Sequence, residues 1–167
     1  MGSATISLRK KGWEKGVRRL LAAKIALFRC FLYNYGMEIT KNQKLKIAKI
    51  AEKYQLKLVY LFGSRANGKI GPLSDYDFAV YLDEKDAKKR FDIRLKLIAE
   101  VSEIFKTDKV DICVLNDIEG PELKYNIIKE GIIIFEKEPF KILIEPKILN
   151  EYFDFHALLL RYNLTKS

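Results

Sequence analysis

Histidine and cysteine are nearly missing from this chain: one histidine, His156, and two cysteines, Cys30 and Cys113, in 167 residues. A zinc site needs several such ligands at short spacing and a disulfide framework needs a regular set of cysteines, so neither organises this protein. Both cysteines lie in apolar stretches and read as small buried hydrophobes, which places the chain in a reducing, cytoplasmic setting. His156, alone among apolar neighbours, reads as structural. Long apolar runs are lacking too. The best candidate, Leu20–Asn34, is broken by Lys24 and Arg29, whereas a membrane span takes about 20 mostly apolar residues and a secretory signal an uncharged core with a small-residue cleavage site. No internal repeat or low-complexity tract interrupts the rest.

What is present fits one compact domain. A chain of 167 residues with 49% hydrophobic content can bury a real core, and two such domains would not fit comfortably. The formal charge is +9, but it is unevenly spread. Residues 1–36 hold eight Lys or Arg against Glu14 alone, so 8 − 1 = +7 lies there and 9 − 7 = +2 remains for residues 37–167. So even a balance leaves no footprint for a long nucleic-acid track. The basic, apolar 1–36 segment is compatible with a transit peptide, a surface-bound or partner-docking helix, or sequence upstream of a natural start at Met37; the domain proper is expected over 37–167.

From Lys41 the pattern becomes regular. Thr40 can cap a helix carrying Leu45, Ile47, Ala48, Ile50 and Ala51 on one stripe. Leu56 to Phe62 alternates as a strand ending at Gly63, and Asp75 to Leu82 forms a second, with Tyr76, Phe78, Val80 and Leu82 facing away from the aspartates. After a charged run from Asp83 to Arg90, an amphipathic helix runs through Phe105. Val110 to Leu115 is a third strand. Pro121 opens a helix that Gly131 stops, Ile132 to Phe135 is a fourth strand, and a last helix is expected from Ile148 to Tyr162, its aromatics read as core. Together these elements predict an α/β (α+β) fold: a small mixed sheet of about four strands, covered by helices on one face.

The chemistry concentrates between Leu61 and Leu82, where a Gly63-Ser64 turn precedes Asp75-x-Asp77. Residues two apart in a strand share a face, so Asp75 and Asp77 can bind divalent cations together. Asp111, opening the third strand, completes a set of three carboxylates. Such a set would repel itself without cations, and all-oxygen ligands with a phosphate substrate favour Mg2+, with two ions expected. Gly63 permits close backbone approach, and the turn amides with Ser64 can hold outer phosphates. Arg65 or Lys69 can add charge there. Asp111 suits the acceptor side, where it would help deprotonate a hydroxyl.

Gly63-Ser64, ten intervening residues, Asp75-x-Asp77 and a later strand-borne Asp111 resemble the nucleotidyltransferase superfamily that includes DNA polymerase beta. Within it, the chain from about Lys41 onward is similar to the minimal nucleotidyltransferases, small proteins often encoded beside a HEPN-domain toxin and acting as its antitoxin. The resemblance implies the nucleotidyltransferase fold, a nucleoside triphosphate donor, ATP above others, and transfer of AMP to a hydroxyl, a tyrosine, on the HEPN toxin. Two other readings stand beside it: a non-catalytic antitoxin that neutralises its partner by complex formation, and an enzyme modifying a small molecule of the aminoglycoside type. An oligomer is compatible with each of them.

Overall fold

The computed structural model describes residues 39–68 and 74–164. The 1–36 segment, the boundary at residue 37, Cys30 and Lys69 lie outside that range.

Helix α1, Lys41–Lys53, starts as its sequence requires. The Gln43 amide donates to Thr40 Oγ1 at 3.2 Å and the Thr40 amide donates to Gln43 Oε1 at 2.9 Å, so two otherwise orphaned donors are satisfied reciprocally. Strand β1, Leu56–Phe62, runs into a single 3-10 turn, Gly63–Arg65, and β2 follows at Tyr76–Leu82. Helix α2, Ala87–Phe105, is capped by Asp86, whose carboxylate accepts from the Lys88 and Lys89 amides. Then come β3, Val110–Val114, a second 3-10 turn at Leu115–Asp117, α3, Pro121–Glu130, β4, Ile132–Glu136, and α4, Phe140–Arg161.

The four strands form one mixed sheet in the order β3-β2-β1-β4. β1 pairs antiparallel with both β2 and β4, and β2 pairs parallel with β3. Alternation along β1 splits its side chains between two cores. Val59 and Leu61 join Phe78, Val80 and Ile112 with Ile47 and Ala51 of α1 and Leu97 and Val101 of α2. Leu58 and Tyr60 join Ala79 with Ile127 of α3 and Ile144 and Ile148 of α4.

The expected fold class and strand count therefore hold, but the single helical cover does not. Helices pack on both faces of the sheet, because β1 is apolar at consecutive positions and so demands burial on each side. The last helix also differs from expectation. It begins at Phe140 and carries Pro146 in its interior. Proline there removes only one amide, whose acceptor would be the carbonyl of Ile142, a residue 73% exposed, so water can replace the lost bond. Of the aromatics read as core, Phe153 and Tyr162 are exposed while Tyr152 and Phe155 are half-buried. Gly131 ends α3 in ordinary extended conformation. It is glycine because a Cβ would lie 2.3 Å from the Ile127 carbonyl oxygen and 3.3 Å from that of Leu61.

Candidate active site

Parallel pairing of β2 with β3 sets Asp77 directly beside Asp111. Both side chains fall on the face of Ala79 and Cys113, the face that α3 and α4 cover elsewhere. Asp75 lies one residue ahead of β2, so it approaches from the strand entrance. Burial first, then the Asp111 and Asp75 carboxylates, raise the Asp77 carboxyl above its ordinary value against an opposing pull from Arg65. Asp77 thus feels both other acids, as a shared site requires.

They do not yet form a closed cage: among the described residues, no three His, Cys, Asp or Glu side chains converge as a ready metal site. Asp111 is engaged by Arg94. Its guanidinium donates to Asp111 Oδ1 at 3.3 Å and also to the Ile112 carbonyl. The donor set nevertheless suits a hard divalent cation, being all carboxylate oxygen, with burial and two neighbouring acids disfavouring the ionised form of Asp77. No local pattern marked Arg94, because its contacts reach back 17 residues from the next strand.

Gly63 is tied to Asp77 more closely than the turn motif suggested. Its φ is +73°, a conformation natural to glycine, and a Cβ would lie 2.3 Å from Asp77 Oδ2. The glycine leaves room for the carboxylate. Ser64 follows in the 3-10 turn. Arg65 turns back upon the chain: Nε donates to the Ser74 and Asp75 carbonyls at 3.1 and 3.0 Å, Nη2 to Ser74 at 2.6 Å, and the guanidinium lies 3.8 Å from the Tyr76 ring centroid. It braces the entrance to β2, which the reading of a phosphate ligand did not foresee.

Cys113 is as bland as its sequence setting implied. Burial, followed by the Asp111 charge, pushes its thiol up to about 12, so it is a neutral wall of the site and no nucleophile. His156 stacks loosely with Tyr152, ring centroids 5.7 Å apart.

Residues 45–140 match the family model described as polymerase beta, nucleotidyltransferase. A curated relative, the protein adenylyltransferase MntA of Aphanizomenon flos-aquae (strain 2012/KM1/D3), is 33% identical over 107 residues, 59% of this chain and 69% of that protein. A chain of a toxin-antitoxin crystal structure with AMP-PNP superimposes with a TM-score of 0.58 at 24% identity, over 71% of this chain and 94% of that one. A chain from a tri-AMPylated Shewanella oneidensis HEPN toxin in complex with its MNT antitoxin gives 0.54 at 21% identity, covering 73% and 93%. These structural likenesses establish the fold.

Proposed function

Since the chain belongs to the polymerase beta nucleotidyltransferase family, with residues 45–140 matching its model, we propose that it is a protein adenylyltransferase: it moves AMP from ATP to a hydroxyl of a HEPN-domain toxin and so acts as that toxin's antitoxin. The observation that carries this reading is the side-by-side placement of Asp77 and Asp111 on parallel strands, beside a turn whose glycine makes space for one of them. The kinship with a protein adenylyltransferase supports the acceptor class. A cytoplasmic location is part of the same reading, and no helix among the described residues is long and apolar enough to cross a membrane.

In the proposed reaction the acceptor oxygen attacks the α-phosphorus of ATP, the bond from that phosphorus to the bridging oxygen breaks, and pyrophosphate leaves. The acceptor proton passes to the Asp111 carboxylate and then to water. Asp75, Asp77 and Asp111 would hold Mg2+, which when bound neutralises the triphosphate and the leaving pyrophosphate. Asp77, flanked by two carboxylates, gains most from a cation. Ser64 and the turn amides would face the outer phosphates, while Arg65 fixes the backbone of Asp75. The domain boundary near residue 37 belongs to this reading as well, since every residue given a role lies beyond it.

Incubation with labelled ATP, Mg2+ and the HEPN protein encoded beside it tests the assignment. Label should appear on the toxin, as AMP on tyrosine, serine or threonine by mass spectrometry. Extension of RNA or DNA ends with no protein labelled would overturn it, as would a complex that neutralises the toxin yet never consumes ATP.

A further inference from the structure

Past Ile148 no residue of α4 is fully buried, although the helix runs on to Arg161. Its inner side is held down by Tyr152, stacked on Tyr125 of α3 with ring centroids 3.9 Å apart, and by the Lys124–Glu151 ion pair at 2.8 Å. Those contacts fix which side faces water. Asn150, Phe153, Ala157 and Leu160 lie there, all exposed, Phe153 by 57% and Leu160 by 55%. Their spacing of three, four and three is that of the seam along which two helices pack. Opposite charges flank the seam, Asp154 one place after Phe153 and Arg161 one place after Leu160. Seven residues separate them, about 10.5 Å along the helix axis, too far for one to pair with the other. Among the described residues, neither is in an ion pair.

We infer that this stretch of α4 is a dimer interface whose occupant is a second copy of the same chain, its α4 laid antiparallel across a two-fold axis. The charges select that partner. Residue numbers run in opposite directions along an antiparallel pair, so an axis beside Ala157 and Leu158 sets Asp154 of each copy against Arg161 of the other. Both charges of both copies are then matched by one operation, whereas a parallel pair in register would bring each charge level with its own kind. Phe153 of each copy meets the Leu160–Tyr162 end of the other. Ala157, beside the axis, lets the backbones approach to the close packing distance of about 8 Å between helix axes. The same surface serves both copies, as a closed two-copy assembly requires. The inference is independent of the transfer reaction, since none of these residues belongs to the site of Asp75, Asp77 and Asp111.

Sedimentation equilibrium of the full chain should give the mass of two copies. Asp154→Arg and Arg161→Asp each make both contacts repulsive, so either should weaken association at least about 10-fold, the scale of two exposed ion pairs reversed. Mixed in equal amounts, the two variants should associate as tightly as the native protein, because each supplies the charge that the other lacks. The double variant should do so alone. Circular dichroism should be native throughout, since both side chains are exposed. A native chain that sediments as a single copy, with this face taken by the toxin or left bare, would overturn the inference. So would a mixture no tighter than its components, or a two-copy mass indifferent to both variants.

Discussion

Asp77 works against the fold that holds it. Its carboxyl is raised above the ordinary 3.8 by burial and by two neighbouring acids, so the ionised form is less welcome in the folded state than in the unfolded one. Stability is therefore lost as pH rises past 3.8 through the folded value. Asp77→Asn should melt higher than the native protein at neutral pH without metal, and that advantage should vanish below pH 3.8, where both states are protonated. The same variant should lose more than about 100-fold in transfer, beyond the loss expected for an outer-shell ligand partner. Scanning calorimetry against pH, with and without Mg2+, checks both halves. Gly63→Ala should cost roughly 1–2 kcal/mol from left-handed backbone strain alone, plus the displacement of Asp77. Combined with Asp77→Ala, the second part should disappear, leaving a coupling energy that a double-mutant cycle reads by denaturation. Arg65→Lys distinguishes a brace from a phosphate ligand. A lysine keeps the charge but not the fork that holds two carbonyls, so activity should fall by about 10-fold or more if the brace matters. Retained activity would return Arg65 to the phosphates. The three aspartates and Gly63 were readable because motif spacing is local. Arg94 was not, since its partners arrive only when α2 and β3 pack together.

Among the elements, α4 shows how spacing alone can mislead. It is apolar on nearly every side, so its pattern could not say which stripe the sheet would take. The structure buries Ile144 and Ile148 and leaves Phe153, Leu158 and Leu160 outside. A hydrogen bond helps choose the stripe: Tyr60, 0% exposed, donates its hydroxyl to Glu145 Oε1 at 2.9 Å. Tyr60→Phe should lower stability by roughly 1–2 kcal/mol with the urea m-value unchanged. An undiminished midpoint would show that apolar packing alone seats the helix. The strands and helix starts were legible because side-chain alternation and capping chemistry are local, Thr40 with Gln43 at the head of α1 being the clearest cap. Cover on both faces was not, because a run apolar at successive positions, such as Leu58–Leu61, reads as buried without telling what buries it.

For the molecule as a whole, every residue given a role in the transfer lies between Gly63 and Cys113. Removal of residues 1–36 should therefore leave toxin labelling within about 3-fold of the full chain, a change smaller than 1 kcal/mol in barrier. A truncated protein that is folded by circular dichroism yet inactive would move the boundary. The remaining +2 over residues 37–167 agrees with a protein acceptor that brings its own binding surface.

The parallel register of β2 and β3 has one more consequence. Asp77 meets Asp111 only because residue 77 stands opposite residue 111; sliding β3 by one position would send Asp111 to the face of Leu97 and Val101 and put Val110 or Ile112 in its place. Such a sheet would turn the Asp111 carboxylate into the apolar core and expel core side chains from it, at a cost in stability. Its transfer activity would be zero rather than reduced. Each turnover thus certifies how the chain was threaded, and the active fraction of a preparation measures the fraction of molecules whose strands found the right partners.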